Sequence, residues 1–362
     1  MATGPHTHIY KSHPDLNLNL HLDVYTPNVT PQTPKPVILW FHGGYLITGS
    51  RKAIPSWLLA FANTQQWSLV SADYRVLPES TGLATLEDTT SAYEWVAHSL
   101  KELHPESCTD TNRIIIGGAS AGGWCTLTTA LHFCAASYSH SHNQSDSDGG
   151  SHNPSTIAKP AALFLLYPMV DPGTETWARG FALPGSSLDA DAEERVMGEI
   201  ATSLASETIS DGEDFPKSEA EVLTRKRVAW VWAVLQKGLF LEYLTGVPGF
   251  AGKLLDGGVE GAAEGQVRKL FPLDFGTFEQ QAFPRTVVVH GVDDQEVSCQ
   301  ESERLVSLLA KADVQVDYFP VTGADHAFDL EIGECVFDVP ESGEPSAVLG
   351  RALRALQGFV EI

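Results

Sequence analysis

Apolar runs alternate with amphipathic stretches along most of the chain. Residues 18–25 alternate between apolar and polar positions, which predicts an edge strand that opens a sheet. Further strands are predicted at 36–41, 67–73, 113–117, 161–167, 286–291 and 314–319. Helical patterns cover 86–103, 300–312 and 345–360. Strands that alternate with helices predict an α/β fold, with a mostly parallel sheet covered by helices on both faces.

One long segment interrupts this alternation. Asp171 ends one predicted strand and Thr286 begins the next, so 286 − 171 = 115 positions separate them. A connection that holds a single helix is much shorter. Residues 228–244 within the segment are strongly apolar, which predicts an inserted helical cap over a site or, alternatively, a helix buried against the sheet. The predicted organisation is a core of residues 1–171 and 286–362 with a cap of residues 172–285.

A Gly-Ala-Ser-Ala-Gly turn stands between the predicted strand at 113–117 and an apolar, helix-compatible stretch. Ser120 occupies its apex. Such a turn needs small flanking residues because the serine backbone is strained and the strand and helix pack closely. It exposes the hydroxyl and directs a helix N-terminus toward any charge that forms beside it. We therefore predict that Ser120 is a nucleophile.

A pair of glycines follows the predicted strand at 36–41, in the segment His42-Gly43-Gly44-Tyr45. Adjacent glycines let the backbone approach a ligand closely and present N–H groups to it. Acyl transfer needs such donors where the tetrahedral oxyanion forms. The predicted oxyanion hole consists of the N–H groups of Gly43, Gly44 and Ala121, and a plain tight turn is the alternative for the glycine pair.

An acid and a base complete a candidate triad. Asp293 and Asp294 follow the strand predicted at 286–291, and His326 follows the one predicted at 314–319. A serine hydroxyl is a weak nucleophile at neutral pH, so an imidazole must take its proton. A carboxylate on the far ring nitrogen fixes the tautomer and stabilises the imidazolium. The order serine, aspartate, histidine is the one expected of an α/β-hydrolase.

Several segments in the right order make the chain resemble the α/β-hydrolase-3 group, the branch that is similar to hormone-sensitive lipase. The matching segments are His42-Gly43-Gly44 and residues 73–79, 118–123, 290–294 and 326–328. The resemblance implies the α/β-hydrolase fold and a cap that enters after Asp171. Its His-Gly-x-x-Asp spacing implies that Asp294 rather than Asp293 is the triad acid. It also implies a structural role for His42 in shaping the oxyanion loop. His290 is predicted to be a strand-end histidine rather than the base, because it precedes the acid.

Two positions depart from the family pattern. Tyr45 stands where the family usually has a third glycine, and Ala119 stands where it often has an acidic residue. The His-Gly-Gly-Tyr form is also similar to that of arylformamidase-type hydrolases. These departures concern the substrate class rather than the fold.

The composition of the chain argues against several classes of binding partner. The formal charge of −23 and the pI near 4.8 argue against nucleic acid and anionic membranes, and mildly against acyl-coenzyme A. No stretch resembles a signal peptide or a membrane span. The five cysteines form no Cys-x-x-Cys pair, which predicts free thiols and a cytoplasmic location. The polar stretch 137–156 holds histidines and acidic residues; a flexible surface loop is predicted there rather than a metal site.

The function predicted from the sequence is hydrolysis of a small carboxylic ester, or a related acyl derivative, with an apolar moiety and through an acyl-enzyme. No metal or organic cofactor is expected, and the oligomeric state stays open. The predicted substrate contacts are Tyr45, Trp230, Trp232, Phe240 and Tyr243. One alternative keeps the triad but uses it for acyl transfer, thioester release or cyclisation of a polyketide-like intermediate. Another is a non-catalytic small-molecule receptor, which the presence of His326 disfavours.

Overall fold

The structure is a computed structural model that describes residues 5–135, 157–205, 212, 225–333 and 342–361. The polar stretch 137–156 therefore lies outside the described residues. The strands are β1 (His6–His13), β2 (Leu18–Tyr25), β3 (Lys35–Phe41), β4 (Ser68–Ala72), β5 (Thr109–Ala119), β6 (Ala162–Leu166), β7 (Arg285–Gly291) and β8 (Val316–Val321). They form one sheet in the order β1-β2-β4-β3-β5-β6-β7-β8. Pairs β1/β2 and β2/β4 are antiparallel, and the remaining pairs are parallel.

From β3 onward, each connection between consecutive strands holds at least one helix, and a further helix follows β8. The helices are α1 (Ser56–Gln65), α2 (Gly82–His98), α3 (Leu100–Leu103), α4 (Ala121–Cys134), α5 (Glu175–Arg179), α6 (Ala190–Ala205), α7 (Lys226–Gln236), α8 (Phe240–Thr245), α9 (Phe250–Ala262), α10 (Pro272–Phe275), α11 (Cys299–Lys311) and α12 (Pro345–Val360). Short 3-10 turns occur at Pro14–Leu16, Pro105–Ser107, Gly265–Leu270 and Phe328–Glu331. In the described part of the chain, no helix is both long and apolar enough to cross a bilayer.

The sheet separates two apolar clusters. One contains Leu39 and Ile116 with residues of α2, α4 and α7. The other contains Trp40 and Ile115 with residues of α1 and α12. Because neighbouring residues of a strand point to opposite faces, the continuous apolar runs bury both faces, and the predicted α/β architecture is confirmed.

The prediction that residues 18–25 form the edge of the sheet is wrong, because β1 lies outside β2. Every residue of β1 is exposed or partly exposed, so this strand has no buried face to impose a regular apolar alternation. The edge strand therefore has no clear signal in the hydrophobic pattern.

The segment between β6 and β7 holds α5 to α10, so its described part is mainly helical, as predicted. Its apolar residues join the cluster on one face of the sheet: Trp230, Phe240 and Leu244 are fully buried there. Inserted and core residues thus share one continuous apolar cluster. The division into a core and a cap at 172–285 stays a prediction.

Candidate active site

Ser120 lies between the end of β5 and the start of α4, at the carboxyl ends of the parallel strands. Its φ of 54° and ψ of −120° lie outside the regions that non-glycine residues ordinarily occupy. Three backbone hydrogen bonds hold this strained residue. The Ser120 N–H donates to the Leu166 carbonyl at 3.0 Å, and the Ser120 carbonyl accepts from the N–H groups of Met169 at 3.0 Å and Gly123 at 2.8 Å. The end of β6 and the segment after it therefore help to fix the serine backbone.

The glycines around Ser120 are needed for close packing. A Cβ on Gly118 would meet the backbone of Gly122, and a Cβ on Gly122 would meet the carbonyl oxygen of Phe41. A Cβ on Gly123 would meet the ring of Pro168. A side chain at any of these positions would force α4 away from its neighbours.

The loop after β3 lies directly against the serine. A Cβ on Gly43 would lie 3.0 Å from the Ala119 carbonyl oxygen and 3.2 Å from the Ser120 Cβ. Gly44 has a φ of +111°, which favours glycine, and its carbonyl accepts hydrogen bonds from two later N–H groups of the loop. Among the described residues, the N–H groups of Gly43, Gly44 and Ala121 have no protein acceptor. They are available to an oxyanion, and the oxyanion hole itself stays a prediction.

His42 supports that loop. Its buried ring stacks on Tyr74, with centroids 4.2 Å apart and planes 8° apart. Its Nδ1 donates to the Gly43 carbonyl at 2.8 Å, and the Tyr74 hydroxyl donates to the His42 carbonyl at 2.7 Å. Burial lowers the pKa of His42 to about 4, so the ring is neutral at pH 7. These contacts agree with the structural role that the sequence predicted.

The base and the acid are in direct contact. His326 Nδ1 donates to Asp294 Oδ2 at 2.7 Å, while Asp294 Oδ1 accepts the N–H groups of Glu296 and Val297 at 2.9 Å each. Because Nδ1 is engaged with the acid, Nε2 is the ring nitrogen left to take a proton from a serine. His326 and Ser120 line the same cavity.

The surroundings of Asp294 and His326 shift the pKa values of the two groups in opposite directions. Burial by itself would raise the pKa of Asp294, but hydrogen bonds from His290 and His326 hold that pKa well below its usual range. Burial would lower the pKa of His326, yet its hydrogen bond to Asp294 and the negative charge there raise the pKa above its ordinary value. Asp294 is thus an ionised partner for an imidazolium.

Asp293, the other candidate acid, is exposed, and its N–H donates to the Ala324 carbonyl at 3.1 Å. Within the described residues, its carboxylate makes no contact with His326. The geometry therefore favours Asp294 over Asp293, as the family spacing implied.

His290 has a contact that sequence reasoning missed. Its Nε2 lies 3.1 Å from Asp294 Oδ2 and 3.0 Å from the Val297 carbonyl, so that nitrogen donates to both acceptors. Its Nδ1 accepts from the Ser302 hydroxyl at 2.7 Å. His290 thus fixes the carboxylate that contacts His326. The spacing of four residues to Asp294 was visible in the sequence, but its direction depends on how the strand ends.

The sequence analysis also did not identify Tyr167 and Asp329, which lie near His326. The ring of Tyr167 packs against His326 with centroids 4.6 Å apart. The Tyr167 hydroxyl donates to Asp329 at 2.5 Å, and Trp57 Nε1 donates to the other oxygen of that fully buried carboxylate at 2.8 Å. The sequence signal was an acidic residue three positions after His326.

A cavity of about 540 Å³ opens at Ser120. Its lining residues come from β3 and the loop after it, the turn that carries Ser120, the residue after β6, the loops that carry the acid and the base, and α7 with the turn before α6. They are Trp40, Gly43, Gly44, Tyr45, Thr48, Lys52, Ala53, Ile54, Pro55, Ala119, Ser120, Tyr167, Leu183, Pro184, Ser186, Val228, Val231, Trp232, Glu296, His326, Ala327 and Leu330. A larger cavity of about 720 Å³, beside Leu131 and Arg268, contains none of the predicted catalytic residues.

Two of the five predicted substrate contacts, Tyr45 and Trp232, line the cavity at Ser120. The structure does not bring Trp230, Phe240 and Tyr243 to it. Trp230 and Phe240 are fully buried in the apolar cluster, and Tyr243 packs against that cluster. The reason is helical periodicity: Val228, Val231 and Trp232 share one face of α7, whereas Trp230 points to another.

Comparison with known proteins decides the family. A family model for the α/β-hydrolase fold matches residues 38–240, more than half of the chain. The chain belongs to the α/β-hydrolase fold family. A solved structure of this fold, a bacterial heroin esterase, superposes with a TM-score of 0.59 at 18% identity, covering 95% of this chain and 80% of that one.

Two curated relatives differ in how much of this α/β-hydrolase they match. The non-reducing polyketide synthase ascC of Acremonium egyptiacum is 26% identical over 322 residues, which are 87% of this chain and 14% of the synthase. The versiconal hemiacetal acetate esterase of Aspergillus parasiticus is 37% identical over 113 residues, which are 31% of this chain and 32% of that esterase. This α/β-hydrolase thus corresponds to only a small part of the synthase.

Proposed function

We propose that this α/β-hydrolase is a serine esterase that cleaves a small carboxylic ester with an apolar moiety. The observation that carries the proposal is the 2.7 Å contact between His326 and Asp294 in a cavity that also contains Ser120, at the apex of a strained turn. Its likeness to an acetate esterase over 31% of the chain supports the same reaction.

In the proposed mechanism each group has a defined role. The Ser120 oxygen attacks the ester carbonyl while His326 Nε2 takes the hydroxyl proton, and the carbonyl π electrons move to the oxygen. The N–H groups of Gly43, Gly44 and Ala121 donate to that oxyanion. When the oxyanion collapses, the bond to the alcohol breaks, and His326 returns the proton to the alcohol. Water then attacks the acyl-enzyme by the same steps and releases the acid.

The cavity wall indicates the kind of substrate. Apolar residues such as Ile54, Leu183, Val231 and Trp232 form most of it, which suits an apolar acyl or alcohol part. A small molecule rather than a macromolecule is the partner in this proposal. We place the reaction in the cytoplasm because the described cysteines are free thiols.

A second function uses the same residues: release of a polyketide-like acyl group from a thioester, by hydrolysis or by transfer to a hydroxyl or amine. The extent of the match favours it. The likeness to the polyketide synthase covers 87% of this chain, whereas the likeness to the acetate esterase covers 31%. Both functions need the acyl-enzyme and differ in the leaving group. A receptor without catalysis is disfavoured because the acid and the base are in contact.

The test is a Ser120→Ala variant measured on 4-nitrophenyl acetate, 4-nitrophenyl octanoate and a benzoyl thioester of N-acetylcysteamine. We expect kcat/KM to fall by about 10⁴-fold or more on each substrate that the wild type cleaves, because the nucleophile is lost. Ser91→Ala, which removes a surface hydroxyl on α2, is the matched control. Near-normal turnover by a folded Ser120→Ala protein would contradict the proposal, and a preference for the thioester would favour the second function.

A further inference from the structure

We propose that the cavity contains a polar subsite, formed by Glu296 and Tyr45, that accepts a hydrogen bond from a hydroxyl group of the substrate. The natural ester would then carry a hydroxyl on an otherwise apolar skeleton. This inference rests on the proposed function, since it concerns the substrate of the same cavity. Three observations carry it: the backbone of Tyr45, the contact between the two side chains, and the acceptors left on Glu296.

Tyr45 has a backbone conformation that normally belongs to glycine. Its φ is 56°, and that of Leu46 is 59°. A left-handed conformation is strained for a non-glycine residue, because the Cβ atom approaches the following carbonyl oxygen. The surrounding hydrogen bonds, from Ile47 and Thr48 to the Gly44 carbonyl and from Leu77 to the Leu46 carbonyl, hold this backbone. Glycine at this position would avoid the strain. The presence of a tyrosine here therefore suggests that its side chain has a function.

The Tyr45 side chain contacts the loop that carries Asp294. The Tyr45 hydroxyl donates to Glu296 Oε2 at 2.7 Å, and both residues line the cavity with Ser120. The Glu296 N–H donates to Asp294 Oδ1 at 2.9 Å. Glu296 is therefore fixed from both ends, at a set position relative to the triad.

Glu296 keeps acceptors available after this contact. A carboxylate offers about four acceptor positions and no donor. Among the described residues, Tyr45 is the single hydrogen-bond partner of the Glu296 carboxylate, and no cation forms an ion pair with it. Lys52 also lines the cavity, but it has a contact of its own. The half-buried carboxylate faces an apolar space into which a substrate must bind.

The chemistry of the acceptor selects the class of ligand. A carboxylate repels a substrate carboxylate and gains nothing from an ether or a ketone, because these groups have no proton to donate. A hydroxyl donates, and hydrogen bonds to charged acceptors are stronger than those between neutral groups. Discrimination is strong where a buried polar group of the site would otherwise stay unpaired. The subsite therefore favours a hydroxylated ester over one that is capped by methylation.

The test compares matched esters. On the acyl side, 4-nitrophenyl benzoate is compared with its 3-hydroxybenzoate and 3-methoxybenzoate analogues. On the alcohol side, phenyl benzoate is compared with its 3-hydroxyphenyl and 3-methoxyphenyl analogues. The methoxy group has a similar electronic effect but no proton to donate. We expect kcat/KM for the hydroxylated ester to exceed both partners by about tenfold in one of the two series.

The variant Glu296→Gln keeps the size of the side chain and removes its charge. It should lower the ratio of hydroxylated to unsubstituted ester several-fold, in a protein whose melting temperature shows that it is folded, because the amide oxygen that remains is a weaker acceptor than a carboxylate. Glu303→Gln removes an exposed carboxylate on α11 and should leave the wild-type ratio unchanged.

Three results would overturn the inference. The first is Ser120-dependent cleavage of the unsubstituted esters with no hydroxyl preference in either series, which leaves the proposed esterase intact. The second is a preference that is undiminished in Glu296→Gln, which removes Glu296 from the subsite. The third is no cleavage of any ester, which overturns the proposed function together with the inference.

Discussion

The turn around Ser120 and the inserted segment of residues 172–285 differ in how well the type of a residue predicts its place in the structure. At the turn, the backbones of β3, β5 and α4 approach so closely that Gly118 and Gly122 have no room for a Cβ. Residue identity there follows from geometry. In the inserted segment, Trp230 and Trp232 are the same residue type two positions apart, yet one is buried in the core and the other lines the cavity. Helix face, not residue type, decides the role.

The prediction with the largest expected effect concerns Asp294, the proposed triad acid, whose assignment rests on its contact with His326. Asp294→Asn keeps the shape of the side chain. An N–H₂ group against His326 Nδ1 favours the wrong tautomer, and a neutral oxygen there stabilises the imidazolium less than a carboxylate does. We expect kcat to fall by about 10⁴-fold. Steady-state kinetics on the best ester of the panel measures it.

Asp293→Asn is the matched control because it changes the neighbouring exposed carboxylate in the same way. Its kcat should stay within about threefold of the wild type, since surface changes away from the site have small effects. Equal losses in the two variants, or a larger loss at Asp293, would refute the assignment of Asp294.

The next test separates the two roles within the inserted segment. Phe240 is fully buried and packs on Trp177 with ring centroids 4.9 Å apart. Phe240→Ala should lower the free energy of unfolding by about 3–5 kcal/mol, as core truncations of phenylalanine do. Its preference between short and long acyl esters should not change. Denaturant unfolding and a series of 4-nitrophenyl esters measure the two quantities.

Trp232→Ala should show the reverse pattern, because Trp232 is partly exposed and lines the cavity. We expect a smaller loss of stability and a shift of several-fold in chain-length preference, since each methylene in an apolar pocket contributes about 1–3 kcal/mol. If both variants only destabilise the protein, α7 is a core helix and the pocket wall must be assigned elsewhere.

The smallest expected effect is on the pH profile. A protonated His326 cannot take the serine proton, so kcat/KM falls as the pH drops through its pKa. Because Asp294 and, more weakly, Glu296 and Asp329 raise this pKa, the midpoint should lie above about 6.5, the ordinary value for histidine. Glu296→Gln should move the midpoint down, whereas Glu260→Gln in the inserted segment should not. A midpoint below 6.5 would contradict the assigned electrostatics.

Some features of this candidate site were predictable because their motifs constrain the backbone. The turn at Ser120 and the glycine pair at Gly43 are local patterns with geometric causes. The second contact of Asp294, from His290, was not predictable, since it depends on the path of the chain after β7. Nor was Asp329, whose partners Trp57 and Tyr167 are distant in sequence.

The same limit applies to the fold. Buried strands were visible as apolar runs, whereas β1 was missed because its residues are exposed or partly exposed. The sequence also did not show which aromatic residues of the inserted segment face the core and which face the cavity. Their positions on several helical faces were compatible with either the core or the cavity, and tertiary packing decided between them.

The central claim is that Ser120 forms a covalent intermediate, and mapping of that adduct tests it most directly. The protein is incubated with an alkyl fluorophosphonate, and intact mass spectrometry and peptide mapping locate the modification. We predict one adduct per chain, on Ser120, with none in Ser120→Ala and a much slower reaction in Asp294→Asn. An adduct on another residue, or ester hydrolysis by a protein that is never labelled at Ser120, would contradict the account.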